Sequence, residues 1–375
     1  GGSFGYSACC ESPIYYELMK TLHTNHGDVR LPAFFPDATR ATIKSVDTLA
    51  VLETETPGMV MNTYHLANLG LVDIIAEQGG LHTFTGWTRP IITDSGGFQA
   101  MSLVREFNTG GKFTDDGVIF QDAAGTKLEL TPESCIDFQL KLGSDIIMIL
   151  DDCTKPDMPL AEQLKSVERT VKWAKRAREH FDKVTEGMEN KPLLFGIVQG
   201  GADRELRRQC AIELAKFHFD GYGFGGFPIN EKNELQIETM QAVVDDTPAE
   251  AMKYAMGVGT PEQIVTCVRM GYDLFDVVIP TREARHRKLY VWNDDPATVD
   301  VDGDFYHSVT MKNLSMQHDK GPIDIHCDCS TCQNYSAAYV HAMFRANLPV
   351  GERMASIHNL RFYARVMERL QRDCE

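Results

Sequence analysis

Residues 145–154 read Asp-Ile-Ile-Met-Ile-Leu-Asp-Asp-Cys-Thr, an apolar run that ends in two acids. A continuous apolar run of about four to eight residues is typical of a strand in a parallel sheet, because such a strand is buried on both faces. The polar residues that follow it then lie at the carboxyl end of the strand, where α/β enzymes place their chemistry. This stretch therefore predicts a buried strand with functional groups at its end.

The same pattern recurs along the chain, with helical stretches between the runs. The other runs are Leu31–Phe35, Gly58–Met61, Ile91–Thr93, Leu193–Val198, Phe219–Phe224, Lys253–Val258 and Leu274–Ile279. Thr131-Pro132-Glu133 and Thr260-Pro261-Glu262 each combine a capping residue, a proline and an acid, which indicates the start of a helix. Eight strand–helix units predict an α/β protein of the (β/α)8 TIM-barrel class, and an open doubly wound sheet is the alternative.

The distribution of polar residues favours the barrel. Polar groups follow many of the runs, namely Asn62, Asp94, Asp151, Gln199, Gly225-Gly226 and Asp276. Barrel enzymes draw their functional residues from many strand ends, whereas an open sheet concentrates them at one switch point.

Two segments depart from this rhythm and define the expected domain organisation. We expect the barrel over residues 12–295. A hairpin insertion is expected at about 104–130, a segment that contains the turn signals Thr109-Gly110-Gly111 and Ala124-Gly125-Thr126. Residues 296–375 are expected to form a zinc-binding subdomain inserted into the barrel fold, with C-terminal helices that close the barrel.

Charge and composition exclude several classes of protein. The 375 residues include 37 Lys and Arg against 53 Asp and Glu, a net charge of −16, which argues against non-specific coating of nucleic acid but allows a local basic patch. No apolar run approaches the ~20 residues that span a bilayer. With Gly1-Gly2-Ser3 taken as a cleavage scar, we expect a soluble, cytoplasmic protein whose ten cysteines form no disulfide framework.

A cluster of cysteines predicts a metal site. Cys327, Cys329 and Cys332 lie within six residues, and His358 follows after 25 more. Three thiolates and an imidazole are a ligand set that zinc prefers, and four protein ligands make a closed structural site. His326 and His341 are alternative fourth ligands. We expect removal of the metal to unfold this subdomain.

Acids at three strand ends and one basic run are the candidate chemical groups. Asp94 precedes two glycines and is either functional or the cap of a helix. Asp151 and Asp152 are either functional acids at the end of a strand or a metal-binding pair. Asp276 lies inside the most apolar run, where an acid is costly unless it is functional or paired. Residues 282–288, Arg-Glu-Ala-Arg-His-Arg-Lys, form either a solvated loop or a contact for an anionic substrate such as RNA.

Taken together, these motifs resemble the tRNA-guanine transglycosylases over residues 30–370. The motifs that carry the resemblance are Asn62-Thr63-Tyr64-His65-Leu66, Asp94–Gln99, Asp151-Asp152-Cys153, Val198-Gln199-Gly200-Gly201, Met256-Gly257-Val258-Gly259, Phe275-Asp276 with Pro280-Thr281-Arg282, and the Cys3His set. That family has a (β/α)8 barrel with an inserted zinc subdomain, in agreement with the strand count.

The resemblance implies the reaction and the role of each site residue. The family exchanges guanine at the tRNA wobble position for a 7-deazaguanine base, with Asp276 as the nucleophile that bonds to ribose and Asp94 as the general acid/base. The implied base-binding residues are Asp151, Gln199, Gly226, Phe98, Met256, Tyr254, Glu231 and Cys153. The implied RNA-binding residues are Arg282, Arg285, Arg287 and Lys288. The implied partners are the tRNA anticodon loop and a second copy of the chain.

Glu231 can accept a cationic aminomethyl group, so the expected base is 7-aminomethyl-7-deazaguanine, with queuine as the alternative. Residues 227–231 and Ala284 depart from the family pattern at the rim of the substrate site. Three other functions remain: a non-catalytic tRNA-docking subunit, a relative that acts on DNA, and a metal-dependent hydrolase that uses Asp151 and Asp152.

Overall fold

All eight apolar runs form strands in the computed structural model, which describes residues 20–106, 111–121 and 127–373. In these ranges the strands are β1 (Thr21–Thr24), β2 (Gly27–Arg30), β3 (Ala33–Phe34), β4 (Met59–Asn62), β5 (Ile91–Asp94), β6 (Lys112–Phe113), β7 (Val118–Gln121), β8 (Lys127–Leu130), β9 (Ile146–Met148), β10 (Leu193–Val198), β11 (Gly221–Phe224), β12 (Met252–Ala255), β13 (Leu274–Phe275), β14 (Lys288–Trp292) and β15 (Tyr306–Thr310).

The helices in the same ranges alternate with the strands. They are α1 (Thr48–Leu52), α2 (Thr63–Asn68), α3 (Val72–Glu77), α4 (Leu81–Thr85), α5 (Gly97–Met101), α6 (Pro132–Leu142), α7 (Leu160–Val184), α8 (Arg204–Ala215), α9 (Ile237–Asp245), α10 (Pro261–Met270), α11 (Ile279–Arg285), α12 (Ser330–Asn334), α13 (Ala337–Arg345) and α14 (Pro349–Arg372). A π-helical turn covers Ser102–Glu106, and a 3-10 helix covers Leu314–His318.

The parallel sheet closes on itself. Its strand order is β3-β13-β12-β11-β10-β9-β5-β4. The two ends meet just beyond β3, where the Val60 N–H donates to the Pro36 carbonyl at 3.1 Å and the Ala38 N–H donates to the Val60 carbonyl at 2.7 Å. The (β/α)8 barrel is therefore confirmed, and the open doubly wound sheet, which would leave two edge strands, is excluded.

The predicted helix starts are confirmed in detail. Before α6, the Thr131 hydroxyl accepts from the Ser134 N–H at 3.1 Å. Before α10, the Thr260 N–H donates to the Gln263 side chain at 2.9 Å. Each helix ends at a glycine with positive φ, Gly143 (71°) and Gly271 (106°), where a side chain would be strained. These caps fix the direction in which each helix leaves the barrel.

The segment between α5 and α6 forms a small antiparallel sheet. Its order is β6-β7-β8, with Val118 paired to Leu130 and Phe113 paired to Val118. Of the two predicted turns, Thr109-Gly110 and Ala124-Gly125-Thr126 lie outside the described residues. The Gly1-Gly2-Ser3 segment also lies outside them.

The C-terminal part packs onto the barrel through the long helix α14. This helix lies against α11, α13 and β14, and β14 pairs with β15 in an antiparallel hairpin that spans residue 295. The division of the chain into residues 12–295 and 296–375 stays a prediction. Within the described ranges, no helix combines the length and apolar character that crossing a bilayer requires.

At the amino ends of the strands, a buried aspartate ties several elements together. The Asp145 carboxylate accepts from the Ile91 N–H at 2.8 Å and contacts ring nitrogens of His26 at 2.8 Å and His82 at 3.1 Å. The two imidazole rings stack with their centroids 3.4 Å apart. Burial by itself favours the protonated acid, but hydrogen bonds from His82, His26 and Ile91 outweigh it and hold the pKa of Asp145 below its usual value.

Asp145→Asn is expected to lower the free energy of unfolding by about 2–4 kcal/mol, because buried donors lose a charged partner. Since the pKa of Asp145 is lower in the folded state, the stabilisation is present above the ordinary aspartate pKa and is lost as the pH falls through the folded value. Urea denaturation at neutral and acidic pH measures both effects. The matched control is Asp28→Asn at the exposed His23–Asp28 pair, which should leave stability unchanged. Equal stabilities for the two variants would contradict the assigned role.

Candidate active site

The carboxyl ends of the barrel strands surround a cavity of about 510 Å³. Groups from many strand ends line it, including Asp37, Asn62, Asp94, Asp151, Gly226, Tyr254 and Asp276. A volume of this order suits a small ligand. The convergence of polar groups from separate strands at this face is the arrangement expected of a barrel enzyme.

Asp276 lies just beyond β13 and is not inside a strand, as the apolar run had suggested. The strand ends at Phe275, because the Asp276 side chain turns into the cavity and bonds to neighbouring groups. The Tyr254 hydroxyl donates to Asp276 Oδ1 at 2.8 Å, and the Gly257 N–H donates to the same oxygen at 3.1 Å. Burial raises the pKa of Asp276 to about 6, and these two hydrogen bonds limit the rise. One oxygen is therefore held while the carboxylate faces the cavity.

Asp94 ends β5 and is held by the neighbouring strand end. Its Oδ1 accepts from the N–H groups of Thr63 (3.0 Å) and Gly96 (3.2 Å), and its Oδ2 accepts from the Asn62 side chain. Gly96, and not Asp94, occupies the capping position of α5. Burial raises the pKa of Asp94 to about 7, with further increases from the charges of Asp37 and Asp276. A carboxyl group with this pKa can give and take a proton near neutral pH.

Asp151 lies opposite these groups, beyond β9. Gln199 donates from Nε2 to Asp151 Oδ2 at 2.6 Å, and the Ser95 hydroxyl donates to Oδ1 at 3.3 Å. Burial raises the pKa of Asp151 to about 6, and the bond from Gln199 opposes that rise. Gln199 itself is buried behind Asp151, and its Oε1 has no hydrogen-bond partner among the described residues. The bond from Gln199 therefore fixes the orientation of the Asp151 carboxylate, which lines the cavity, whereas Gln199 itself does not.

Asp152 is not available for a metal ion. Its fully buried carboxylate forms ion pairs with Arg105 and Arg169, so two guanidinium groups already compensate its charge. Asp151 and Asp152 are also absent from the groups of potential metal ligands found within residues 20–106, 111–121 and 127–373. The geometry thus disfavours the metal-dependent hydrolase.

Apolar side chains form the walls of the cavity. Phe98, Met256, Cys153 and Ile229 line it, and Phe98 is 46% exposed. The ring of Phe227 lies 5.6 Å from that of Phe98, centroid to centroid. An exposed aromatic ring at a cavity mouth is a surface on which a planar base can stack. The walls therefore suit a flat heterocycle.

Some predicted residues do not meet in the cavity. Glu231 is exposed and does not line it, since the chain runs outward after Ile229. In the basic run, Lys288 pairs with Glu283 at 3.3 Å, and Arg287 lies over the ring of Phe344 at 5.6 Å. The remaining two arginines lie on α11, with Arg282 exposed and Arg285 half-buried. These two are the better placed of the four for an external partner.

Sequence reasoning missed two residues that line the cavity, Asp37 and His65. Asp37 follows the predicted strand Leu31–Phe35 by two residues. The rule that polar residues near the carboxyl ends of the strands are functional candidates therefore also selects it. His65 lies in the first turn of α2, and in the sequence it was recognised only as part of the motif Asn62–Leu66 and was not assigned to the site.

The predicted metal ligands come together as a buried group. The ligand atoms of Cys327, Cys329, Cys332 and His358 lie within 4.8 Å of one another. His358 Nε2 is 2.6 Å from the Tyr290 carbonyl, which leaves Nδ1 facing the sulfurs, 3.3 Å from that of Cys332. Three thiols and an oriented imidazole fit a tetrahedral ion such as zinc.

The other two candidate histidines lie elsewhere. His341 Nδ1 bonds to the Met311 carbonyl at 2.7 Å, and His326 is outside the group. Next to His358, Asn359 donates to the carbonyls of Pro280 at 2.9 Å and Lys288 at 3.1 Å. Helix α14, which carries His358, is thereby attached to the first turn of α11 and to the first residue of β14, the strand that follows.

Comparisons with known proteins agree with this geometry. The sequence model of the family described as Queuine tRNA-ribosyltransferase matches residues 19–374. The chain is similar to the Queuine tRNA-ribosyltransferase of Psychrobacter cryohalolentis, with 39% identity covering 94% of this chain and 88% of that protein. It is also similar to proteins of that name from Vibrio cholerae (39% identity, 92% and 86% coverage) and Pseudoalteromonas translucida (41%, 92% and 87%).

Proposed function

The chain belongs to the queuine tRNA-ribosyltransferase family, a family of pentosyl-transferring enzymes, and on this premise we propose that it exchanges guanine at the wobble position of tRNA for a 7-deazaguanine base. The observation that carries the proposal is the pairing, in one cavity, of a hydrogen-bonded carboxylate at Asp276 with a carboxyl group of raised pKa at Asp94. Breaking and remaking a glycosidic bond with retained configuration requires a nucleophile and a separate acid/base.

In the first step, Asp276 attacks the anomeric carbon of the ribose. The carbon–nitrogen bond to guanine breaks, its electron pair goes to the base, and Asp94 gives that base a proton. A carboxylate suits this attack because it is ionised without an activating base and meets a centre of oxocarbenium character. Tyr254 and Gly257 hold one oxygen of Asp276, which leaves the other for the new bond. The product is an ester between Asp276 and ribose.

In the second step, the incoming base loses a proton to Asp94 and its nitrogen attacks the same carbon. The ester bond breaks and Asp276 leaves as a carboxylate. Two inversions restore the original configuration. Because Asp94 gives one proton to the departing guanine and takes one from the incoming base, it ends each cycle in its starting state. A pKa of about 7 lets it serve in both directions.

The cavity offers groups that match the edge of a guanine-like base. Asp151 can accept from the ring N–H and amino groups, and the Gly226 N–H can donate to the carbonyl. Gln199 does not line the cavity, and its Nε2 donates to Asp151, so we propose that it orients that carboxylate from behind. Phe98 and Met256 can cover the two faces of the ring, with Tyr254 and Cys153 on the adjoining wall. The target base must leave the stack of the anticodon loop to enter the cavity. We propose that Arg282 and Arg285, which lie on α11, then contact the phosphates of that loop.

We favour 7-aminomethyl-7-deazaguanine as the incoming base, with queuine as the alternative. Cys153 and Ile229 line the cavity, and both side chains take up more room than glycine or alanine would, which favours the smaller substituent. Glu231 lies outside the cavity lining and adds no support to this choice. Competition of the two bases against labelled guanine in one exchange assay distinguishes them.

Two other functions make distinct demands on the chain. A non-catalytic docking subunit has no need for Asp276, Asp94 and Asp151 together in a cavity. An enzyme acting on long duplex DNA needs an extended basic surface, whereas the net charge is −16 and two of the four cations in the basic run have partners within the chain. Both observations favour exchange in an anticodon loop.

We also propose that the Cys3His group holds a structural zinc ion, that the chain forms a homodimer, and that it works in the cytoplasm beside its tRNA substrate. Leu314 and Ile325 near the metal group are 73% and 80% exposed, and Tyr335 stacks on Tyr339 with centroids 5.2 Å apart. Apolar side chains grouped at a surface are typical of an interface. Light scattering should give twice the chain mass of 42.0 kDa.

Asp276→Asn tests the central proposal. Guanine exchange should fall by at least about a thousandfold, since an amide is not a nucleophile for this centre. The unaltered enzyme, denatured during turnover, should carry RNA covalently, and the variant should not. Asp302→Asn, at an exposed ion pair with Arg269, should retain both properties. Undiminished exchange by Asp276→Asn would contradict the assigned nucleophile, and no exchange by either protein would support the docking subunit instead.

The pH dependence of kcat/KM should be bell-shaped. Activity should rise through about pH 6 as Asp276 ionises and fall above about pH 7 as Asp94 loses its proton. Tyr254→Phe removes a hydrogen bond that lowers the pKa of Asp276, so its acidic limb should move to higher pH. The control is Tyr272→Phe, whose buried hydroxyl donates to the Met240 carbonyl at 2.9 Å, away from the cavity. An identical shift in both variants would refute the assignment.

Metal analysis should find one zinc ion per chain. Cys332→Ser should lose the ion and lower the melting temperature, because the free energy of metal binding contributes to folding. Cys267→Ser is the matched control, since this buried cysteine lies in α10 outside the metal group and should retain the ion. Full zinc content in the Cys332→Ser protein would exclude this site.

A further inference from the structure

Asp37 is a fourth carboxylate in the cavity, and the exchange reaction described above gives it no role. It lies two residues beyond Phe35, whose N–H donates to the Phe275 carbonyl at 2.8 Å, directly before Asp276. On its other side, Asp37 is bridged to Val60 of β4, the strand that ends at Asn62 beside Asp94. Asp37 therefore occupies the closing seam of the barrel, between the nucleophile and the general acid/base.

The side chain of Asp37 is fixed by one oxygen only. Oδ1 accepts from the Thr39 N–H at 2.6 Å and from the Thr39 hydroxyl at 2.5 Å. Oδ2 makes no hydrogen bond within the part of the chain that the structure describes, and the residue is half-buried at the cavity wall. It lines the same cavity as Asp94 and Asp276, and its negative charge adds to the effect of burial in raising the pKa of both. A fixed carboxylate with a free oxygen is a ready acceptor for a hydroxyl group.

The chemistry of the substrate limits what this oxygen can bind. Within an RNA chain the 3′ and 5′ oxygens of the ribose are esterified to phosphate, so the 2′-hydroxyl is the only free donor on the sugar. That hydroxyl is on the carbon next to the one that Asp276 attacks. A phosphate, being anionic, is repelled by three neighbouring carboxyl groups, whereas a neutral hydroxyl is not.

We propose that Asp37 accepts a hydrogen bond from the 2′-hydroxyl of the target nucleotide and thereby selects RNA over DNA. This inference rests on the proposed exchange reaction. Asp37 is then a specificity-determining residue that also places the anomeric carbon over Asp276. The 2′-hydroxyl is the group by which a protein distinguishes the two nucleic acids at a single position.

The test compares two anticodon stem-loops that differ only in one oxygen, guanosine or 2′-deoxyguanosine at the wobble position. The unaltered enzyme should exchange labelled guanine into the ribonucleotide about 10- to 100-fold faster, the range expected for one hydrogen bond to a charged group. Asp37→Ala should lose that factor on the ribonucleotide only, so the ratio falls to near 1. Thr39→Ala removes the hydroxyl donor and leaves the backbone N–H as the only partner of Oδ1, so the side chain is held less firmly and the ratio should be intermediate.

The control variant Glu53→Gln removes one negative charge from an exposed position after α1 and should keep the full ratio. Thermal unfolding and metal content verify that each variant is folded. A ratio that is unchanged in Asp37→Ala would overturn the inference while leaving the exchange reaction intact. Exchange that is absent from the unaltered enzyme on both substrates, or that survives Asp276→Asn, would instead overturn the proposed function.

Discussion

The molecule depends on the closure of its parallel sheet between β3 and β4. Two backbone hydrogen bonds at this seam, Val60 to Pro36 and Ala38 to Val60, convert an open sheet with two edges into a barrel with none. Without closure, the ends of β13 and β5 would splay apart, and the two carboxyl groups that they carry would not share a cavity. The seam is thus both a structural requirement and the place where the site is assembled.

The converging strand ends bury three carboxyl groups in one cavity, and this burial is the main cause of their raised pKa values. Burial raises the pKa values of Asp94, Asp151 and Asp276 to about 7, 6 and 6, and each acid keeps hydrogen bonds that limit the rise. The difference between Asp94 and Asp276 arises from surroundings, since Asp276 has a tyrosine hydroxyl and a backbone N–H while Asp94 has more neighbouring negative charge. Two residues of the same type can therefore take opposite protonation states near neutral pH.

Much of this was available from the sequence. Buried parallel strands are continuous apolar runs, and Thr-Pro-Glu starts are local signals, so the barrel and its helix starts were predicted from short segments. The end of β13 at Phe275 could not be predicted in this way. The groups that bond to Asp276, the Tyr254 hydroxyl and the Gly257 N–H, are distant from it in sequence. The outward path of Glu231 and the bond between Gln199 and Asp151 likewise depend on tertiary contacts. Asp37 could have been predicted from its position near the carboxyl end of a predicted strand, but no recognisable motif surrounds it.

The attachment of α11 has a consequence for how an external partner associates. Asn359 bonds to the first turn of this helix through the Pro280 carbonyl and to the start of β14 just beyond it through the Lys288 carbonyl, and Ala284 within the helix is fully buried. Ala favours the helical conformation by about 1 kcal/mol over glycine, which further restricts the backbone. The two arginines are therefore carried on a pre-organised support, and little conformational entropy remains to be lost when they contact a partner. Under the proposed function, discrimination between anticodon loops would rest on fit to this rigid surface, and a loop that cannot adapt its own backbone would be rejected.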